Sequence, residues 1–383
     1  MKVLKLNAIS PLADPILKNY EFSDSCTNPD GIMLRSFSMH EYEVGTNLLA
    51  VARAGAGVNN IPIPAMTEKG IAVFNTPGAN ANAVKELVIC ALLLASRKIT
   101  DGISWAKTVS GDNFGKQIEK GKSSFVGPEI AGKTLGVIGL GAIGAKVANA
   151  ANDMNMRVYG EDPYLSVDAA WSLSRKIIHE RDRKNLYAES DYITLHVPYL
   201  PTTKHMINAD AIAQMKDGVR IINCARGELV DNDAMLAALR SGKVACYVTD
   251  FPSPELINEP NVVCIPHLGA STAEAEDNCA VMAAQQLDDY LRNGNITNSV
   301  NLPNVYAPST TRHRVSILHR NIPNMISLAT SALGAAGINI SNLVSATKND
   351  VGYMLLDTDT ELDQSIVDSF TETDGFIRVR VVY

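Results

Sequence analysis

Thr134–Ala150 reads TLGVIGLGAIGAKVANA. An apolar run leads into Gly139, Gly141 and Gly144 in GxGxxG spacing, and a small-residue segment of helical character follows: strand, glycine turn, helix. The first glycine permits the tight turn, and the second lets backbone approach a pyrophosphate. The third lets helix pack on strand, and the helix amides then face the anion. Asp162 ends the next strand candidate, MRVYGED, eighteen residues past Gly144. A carboxylate there accepts hydrogen bonds from both ribose hydroxyls and repels a 2′-phosphate. Pro163, Tyr164 and Leu165 offer no arginine to hold such a phosphate. The pattern predicts a dinucleotide turn that selects NAD over NADP.

The turn starts more than a hundred residues into the chain, so a separate segment precedes it. A length of 383 residues suits two or three domains. Hydrophobic content of 46% with 20% charged residues is that of an ordinary globular protein. The net charge of −7, with basic and acidic residues interspersed, argues against a nucleic-acid footprint. Six cysteines, at 26, 90, 224, 246, 264 and 279, show no CxxC spacing and sit mostly in apolar runs, which points to reduced core thiols and no metal. MKVLKLNAIS has no apolar region long enough for a signal peptide, and the Leu87–Ala95 run is less than half a membrane span. A cytoplasmic chain is expected, without membrane or nucleic-acid partners.

Strand-like and helix-like stretches alternate almost throughout, which predicts an α/β fold with parallel sheets covered by helices. KVLKLN, GIMLRS, LLAVARAG and GIAVFNTPG are strand candidates before the glycine turn. DYITLHVP, VRIINCA, ACYVTDF and NVVCIPH are candidates after MRVYGED. The helical stretch Asn82–Ile99 is nearly apolar all round and should be buried. STAEAEDNCAVMAAQQLDDYLRNG reads as a long helix with a serine cap and a glycine stop. Residues 293–313 are rich in Asn, Pro, Thr and Ser and read as a linker. Beyond them the chain spells βαββαβ, the ferredoxin-like plan.

In an open parallel sheet, ligands sit beyond the carboxyl ends of the strands. Arg226, Asp250 and His267 end or closely follow three strand candidates, and Glu255 lies in the loop after Asp250. A cation, two carboxylates and an imidazole beside a nicotinamide suit hydride transfer at a hydroxyl-bearing carbon. The imidazole takes the hydroxyl proton and the guanidinium clamps a carboxylate. The plainer alternative makes Arg226–Glu255 a surface ion pair and His267 a turn residue.

NCARGELVDNDAMLAAL, NVVCIPHLGAST, VARAGAGVNNI, NTPGANANAVKELV and GKTLGVIGLGAIG together resemble the D-2-hydroxyacid dehydrogenase family, over nearly the whole chain. The resemblance implies two doubly wound parallel-sheet domains and a C-terminal ferredoxin-like module. The substrate-binding domain is 1–95, completed by about 285–300. The Rossmann NAD-binding domain is 96–284, the linker 301–312 and the module 313–383. It implies Arg226 as the substrate-orienting arginine, Glu255 as the partner that tunes the histidine, and His267 as acid/base. Glu259 is a rival for Glu255. Asp250 then contacts the nicotinamide amide. Thr76, Gly139, Gly141, Ala142, Ile143, Gly144 and Asp162 bind or line the cofactor, as do Val197, Cys224, Ala225, His267 and Gly269.

On the substrate side, the glycine loop Ala54–Gly57 offers backbone amides to a carboxylate, since no side chain blocks the approach. Arg35, Arg53 and Arg226 are the matching cations. A second base found two places after Arg35 in some relatives is Phe37 here, and Lys120 and Lys122 are further candidates. Residues 313–383 resemble an ACT domain, with LHRNIPNM as its effector loop. His319, Asn321 and Asn339 are the implied effector residues and L-serine the implied ligand, bound between paired modules of a homodimer or homotetramer. Asn324 replaces the glycine usual after the proline. The expected activity is NAD-dependent oxidation of D-3-phosphoglycerate to 3-phosphooxypyruvate, opening serine biosynthesis. The alternatives are a glyoxylate/hydroxypyruvate reductase or a non-catalytic NAD-sensing regulator.

Overall fold

A computed structural model describes residues 1–308 and 313–383, apart from the side chain of Asp168. The last four residues of the expected linker, 309–312, lie outside the described residues. The chain forms two compact units, Met1–Asn80 with Ala273–Tyr383, and Ala81–Thr272.

In the first unit, β1 (Lys2–Leu6), β2 (Glu21–Ser23), β3 (Gly31–Leu34), β4 (Ala50–Arg53) and β5 (Ala72–Phe74) make a parallel sheet in the order β2-β1-β3-β4-β5. Burial on both faces explains the near-continuous apolar runs of β3 to β5. β2 has no such run, is only three residues long, and was not expected. The helix Ala273–Asn293 covers one face through Ala280, Ala283, Ala284, Leu287 and Tyr290. It begins at Ala273, so Thr272 and not the expected serine stands at its cap position, and Gly294 ends it at φ 74°.

The seventy C-terminal residues, also in this unit, form the expected βαββαβ plan. β13 (His313–Arg320), β14 (Ile340–Lys348), β15 (Val351–Thr358) and β16 (Phe376–Val381) make an antiparallel sheet ordered β14-β15-β13-β16. One face packs on the helices Met325–Ala335 and Gln364–Glu372 through Val315, Ile317, Met354 and Leu356. From the other, Leu318, Tyr353 and Leu355 join the core beneath Tyr290 and Leu291. Polar ties reinforce this face. Arg380 Nη2 donates to the Tyr290 and Leu291 carbonyls at 2.9 and 2.6 Å, and Tyr353 Oη donates to the Gly294 carbonyl at 2.7 Å. Arg314, wholly buried, binds Asp357 and the carbonyls of Asn293, Ala307 and Pro308.

The second unit holds a parallel sheet of β6 (Thr134–Ile138), β7 (Arg157–Glu161), β8 (Ile178–His179), β9 (Tyr192–Leu195), β10 (Val219–Asn223), β11 (Val244–Thr249) and β12 (Val262–Cys264). The order β12-β11-β10-β9-β6-β7-β8 reverses direction between β6 and β9, the switch point of a doubly wound sheet. The helix Ala81–Ser96 packs on this unit but is not buried all round. Asn82, Glu86, Cys90 and Leu93 form an exposed stripe at helical spacing, because the sheet covers one face only. The polar stretch after it contains two short helices, Ile99–Ala106 and Phe114–Gly121, neither with a buried residue. Among the described residues no helix is long and apolar enough to cross a membrane, no His/Cys/Asp/Glu group could hold a metal, and the six cysteines are free.

Candidate active site

Each residue expected at the crevice of the second unit follows the carboxyl end of a strand. Gly139 follows β6, Asp162 follows β7, His196 and Val197 follow β9, Cys224 to Arg226 follow β10, Asp250 follows β11, and His267 lies three residues past β12. β10, β11 and β12 are neighbours, so the loops bearing Arg226, Asp250 and His267 lie side by side.

The glycine turn has a measurable shape. Gly139 adopts φ 90°, where a side chain is strained, and a Cβ there would stand 2.7 Å from the His196 carbonyl oxygen. A Cβ on Gly144 would meet the Gly139 carbonyl oxygen at 1.9 Å, so only glycine lets the helix Ala142–Asp153 approach. At Gly141 a Cβ would meet nothing within 4 Å. That open space lies where a pyrophosphate needs it, at a helix N-terminus that no side chain caps. Asp162 accepts the Leu140 amide on Oδ2 and the Tyr164 amide on Oδ1, both at 2.8 Å, which fixes its carboxylate beside the turn. Each oxygen keeps a lone pair for a ribose hydroxyl. These residues fit a dinucleotide.

Cys224 is buried and its thiol is pushed up to about 12, by burial first and by the Asp250 charge second, so it packs as an inert thiol. His196, in contact with the turn, is pushed down to about 3 by burial and stays neutral, its Nε2 3.0 Å from Thr194 Oγ1.

The side chains expected to do chemistry are held from below. Buried Asn223 accepts the Ala225 amide on Oδ1 at 3.1 Å and donates from Nδ2 to the Arg226 carbonyl at 2.8 Å, which shapes the turn that presents exposed Arg226. Asp250, almost wholly buried, accepts the Leu268 amide on Oδ1 at 2.7 Å and the Gly269 amide on Oδ2 at 2.8 Å. Burial still leaves its carboxyl above the usual range. His267 is exposed at φ 56°, its ring 4.9 Å from that of Phe251. Glu255 is exposed, and a hydrogen bond with Ser253 holds its carboxyl below the usual range. Among the described residues no hydrogen bond or ion pair joins Glu255 to His267 or Arg226. Glu259, the rival, is taken by a two-bond pair with Arg240.

In the first unit, Arg35 and Arg53 stand at the ends of neighbouring strands β3 and β4, and the glycine loop follows Arg53. Its carbonyls are tied back. The Thr76 amide donates to Gly55, Asn75 Nδ2 to Ala56 at 2.7 Å, and Arg53 Nη1 to Gly57. The amides of Ala56, Gly57 and Val58 donate to nothing among the described residues. Ala54 is buried and donates its amide to the Leu34 carbonyl. Thr76 is wholly buried with its hydroxyl toward the Cys279 thiol. Arg35 is not a lone cation: its Nη2 lies 2.7 Å from Glu276 Oε1. Lys120 is an exposed helix residue, and Lys122 pairs with Glu119.

In the C-terminal module, His319 is buried on β13. Its Nδ1 lies 2.7 Å from the Arg320 carbonyl, and Nε2 has no partner. Asn321 donates to the Asn349 carbonyl at 2.9 Å. Asn339, exposed, precedes β14 at the opposite end of the sheet. His319 pairs with Gly352 and Ile340 with Thr358, six residues along β15, so about 20 Å separates the two within one chain. Asn324 adopts φ 72°, the region where glycine is favoured and asparagine is the best substitute.

Sequence reasoning passed over Asn223, Glu276 and Asn75. Asn223 reads as a strand residue because its bonds to the Ala225–Arg226 turn depend on its rotamer, and Glu276 reads as an ordinary helix surface acid because its partner Arg35 is distant in sequence.

Residues 89–269 match the family described as D-isomer specific 2-hydroxyacid dehydrogenase, NAD binding domain. The chain is 33% identical over 359 residues to a D-3-phosphoglycerate dehydrogenase of Haemophilus influenzae, covering 89% of this chain and 83% of that one. It is 36% identical over 296 residues to a D-3-phosphoglycerate dehydrogenase of Synechocystis, covering 75% of this chain and 51% of that one. The chain thus spans about half the length of the Synechocystis relative. Among solved structures it is similar to the NAD+-bound 3-phosphoglycerate dehydrogenase of Entamoeba histolytica, with a TM-score of 0.61 and 26% identity, covering 79% of this chain and 98% of that one. With the glycine turn, the strand-end side chains and these relatives together, the chain belongs to the D-isomer specific 2-hydroxyacid dehydrogenase family.

Proposed function

We propose that this protein oxidises D-3-phosphoglycerate at C2 to 3-phosphooxypyruvate with NAD, the entry to L-serine biosynthesis, in the cytoplasm. The observation that carries the reading is the placement of Arg226, Asp250 and His267 beyond three adjacent parallel strands. NAD, when bound, supplies the hydride acceptor. The Gly139–Gly144 turn and Asp162 hold its pyrophosphate and ribose. Asp250 meets its amide, and Thr76, Ala142, Ile143, Val197, Cys224, Ala225 and Gly269 line it. The Arg226 guanidinium orients the substrate, and on the substrate domain the open amides of Ala56, Gly57 and Val58 suit an anionic group. His267 takes the hydroxyl proton as the C2 hydrogen leaves with its electron pair, and the C2–O bond becomes a carbonyl. Glu255, kept ionised, stabilises the imidazolium that forms. In this reading 1–95 with about 285–300 is the substrate domain, and 96–284 is the NAD domain.

The 313–383 module senses L-serine in a homodimer or homotetramer. One chain supplies His319 and Asn321 and its partner supplies Asn339, consistent with their separation within one chain. The buried, partnerless Nε2 of His319 supports a ligand there.

A second reading, a glyoxylate/hydroxypyruvate reductase, is favoured by one observation: Arg35 is already neutralised by Glu276. NADH formation from D-3-phosphoglycerate, with and without L-serine, decides. Turnover of the phosphorylated acid supports the first reading. Turnover of unphosphorylated acids alone supports the second, and serine-insensitive turnover removes the sensing role.

A further inference from the structure

Arg35 and Arg53 stand at the ends of the neighbouring strands β3 and β4, and Glu276 meets Arg35 there. Arg53 is committed to the backbone, its Nε donating to the Arg35 carbonyl at 3.0 Å and its Nη1 to Gly57. Arg35 Nη2 meets Glu276 Oε1 at 2.7 Å, and both side chains are about two-fifths exposed, at 40% and 44%. Glu276 sits in the first turn of the helix Ala273–Asn293, where unpaired amides favour an acid and hold it in place.

We propose that Glu276 is a resident anion which sets the substrate charge this site accepts. Resting on the proposed function, and with Arg35 taken here as the cation that receives the substrate's phosphate, an incoming anion must displace Glu276 to reach Arg35. A phosphate dianion carries enough charge to compete with a single carboxylate. A monoanionic phosphate competes poorly, and a neutral hydroxymethyl group leaves the pair intact. Glu276 therefore weakens phosphate binding overall and makes it depend on the second ionisation of the ester, near pH 6.

The test compares wild type with Glu276→Gln, which keeps the side-chain shape, and Arg35→Gln. In Glu276→Gln the KM for D-3-phosphoglycerate should fall about three- to tenfold, with kcat and the KM for hydroxypyruvate unchanged. The rise in KM below pH 6 should be shallower than in wild type. Arg35→Gln should raise the KM for the phosphorylated acid alone. An unchanged KM and pH profile in Glu276→Gln, in an enzyme that does oxidise D-3-phosphoglycerate, overturns the inference but not the proposed function. Should wild type not oxidise that acid, inorganic phosphate is the probe, read by its shift of the unfolding temperature. A larger shift in Glu276→Gln, lost in Arg35→Gln, supports the resident anion, and equal shifts in all three proteins overturn it.

Discussion

The Gly269 amide donates to Asp250 Oδ2 at 2.8 Å, while the neighbouring Leu268 amide takes the other oxygen, so a single buried carboxylate pins the turn that begins at His267. Asp250→Asn replaces one acceptor by a donor facing an amide. The expected cost is about 1–3 kcal/mol of stability, from one buried amide left unpaired. The kcat should fall by more than the affinity for NADH, because the loosened turn carries the imidazole. Denaturant unfolding and steady-state kinetics on the same preparation check both parts.

The glycine turn separates folding from cofactor binding. Gly144→Ala places a methyl 1.9 Å from the Gly139 carbonyl oxygen and should destabilise by about 3 kcal/mol or fail to fold. Gly141→Ala meets no protein atom and, as a helix cap, should cost about 1 kcal/mol or less. It should nevertheless raise the NADH dissociation constant at least about tenfold, equivalent to about 1.4 kcal/mol. Fluorescence titration of NADH against thermal melts of the two variants tells these effects apart.

His196 gives the second unit an acid sensitivity. Its folded-state pKa, lowered to about 3, lies below the ordinary value of 6.5, so the unfolded chain binds the extra proton. Stability from this group is complete above pH 6.5 and is lost as pH falls toward 3, by up to about 1.4 kcal/mol per pH unit. Between pH 6.5 and 5 wild type should lose roughly 2 kcal/mol more than His196→Asn does. Urea unfolding of the pair at the two pH values is the measurement, and equal losses would refute the assignment.

Arg314 and Asp357 form a fully buried pair, with Nε to Oδ1 at 2.5 Å and Nη2 to Oδ2 at 2.9 Å. Asp357→Asn or Arg314→Met alone should cost about 3–5 kcal/mol, because each strands a buried charge. Arg314→Met combined with Asp357→Leu should recover a large part of that loss. The double-mutant cycle, followed by chemical denaturation, gives the coupling directly.

Much of this architecture is legible in the chain. The glycine spacing, the apolar runs of β3 to β7 and β9 to β11, and the βαββαβ ending identify both sheet types, because each rests on local periodicity. β2 and β8 escape notice since their residues, EFS and IH, make no apolar run. The loops bearing Arg226, Asp250 and His267 can be placed from strand ends alone. Their supports cannot: Asn223 holding the Arg226 turn and Glu276 meeting Arg35 depend on rotamers and on contacts up to 241 residues apart. The exposed stripe on Ala81–Ser96 was hidden for a related reason, since its Cys90 and Leu93 read as core.

One face of the antiparallel sheet is continuous with the core under Tyr290 and Leu291, and Arg380 and Tyr353 close the carboxyl end of the helix that lies there. That makes the last seventy residues a poor candidate for a detachable cassette. Cutting the gene after codon 308 would strip a wall from the hydrophobic interior, leave the carboxyl end of a long helix unsealed and yield an aggregation-prone product, so grafting experiments on this protein must carry the helix and the sheet across together.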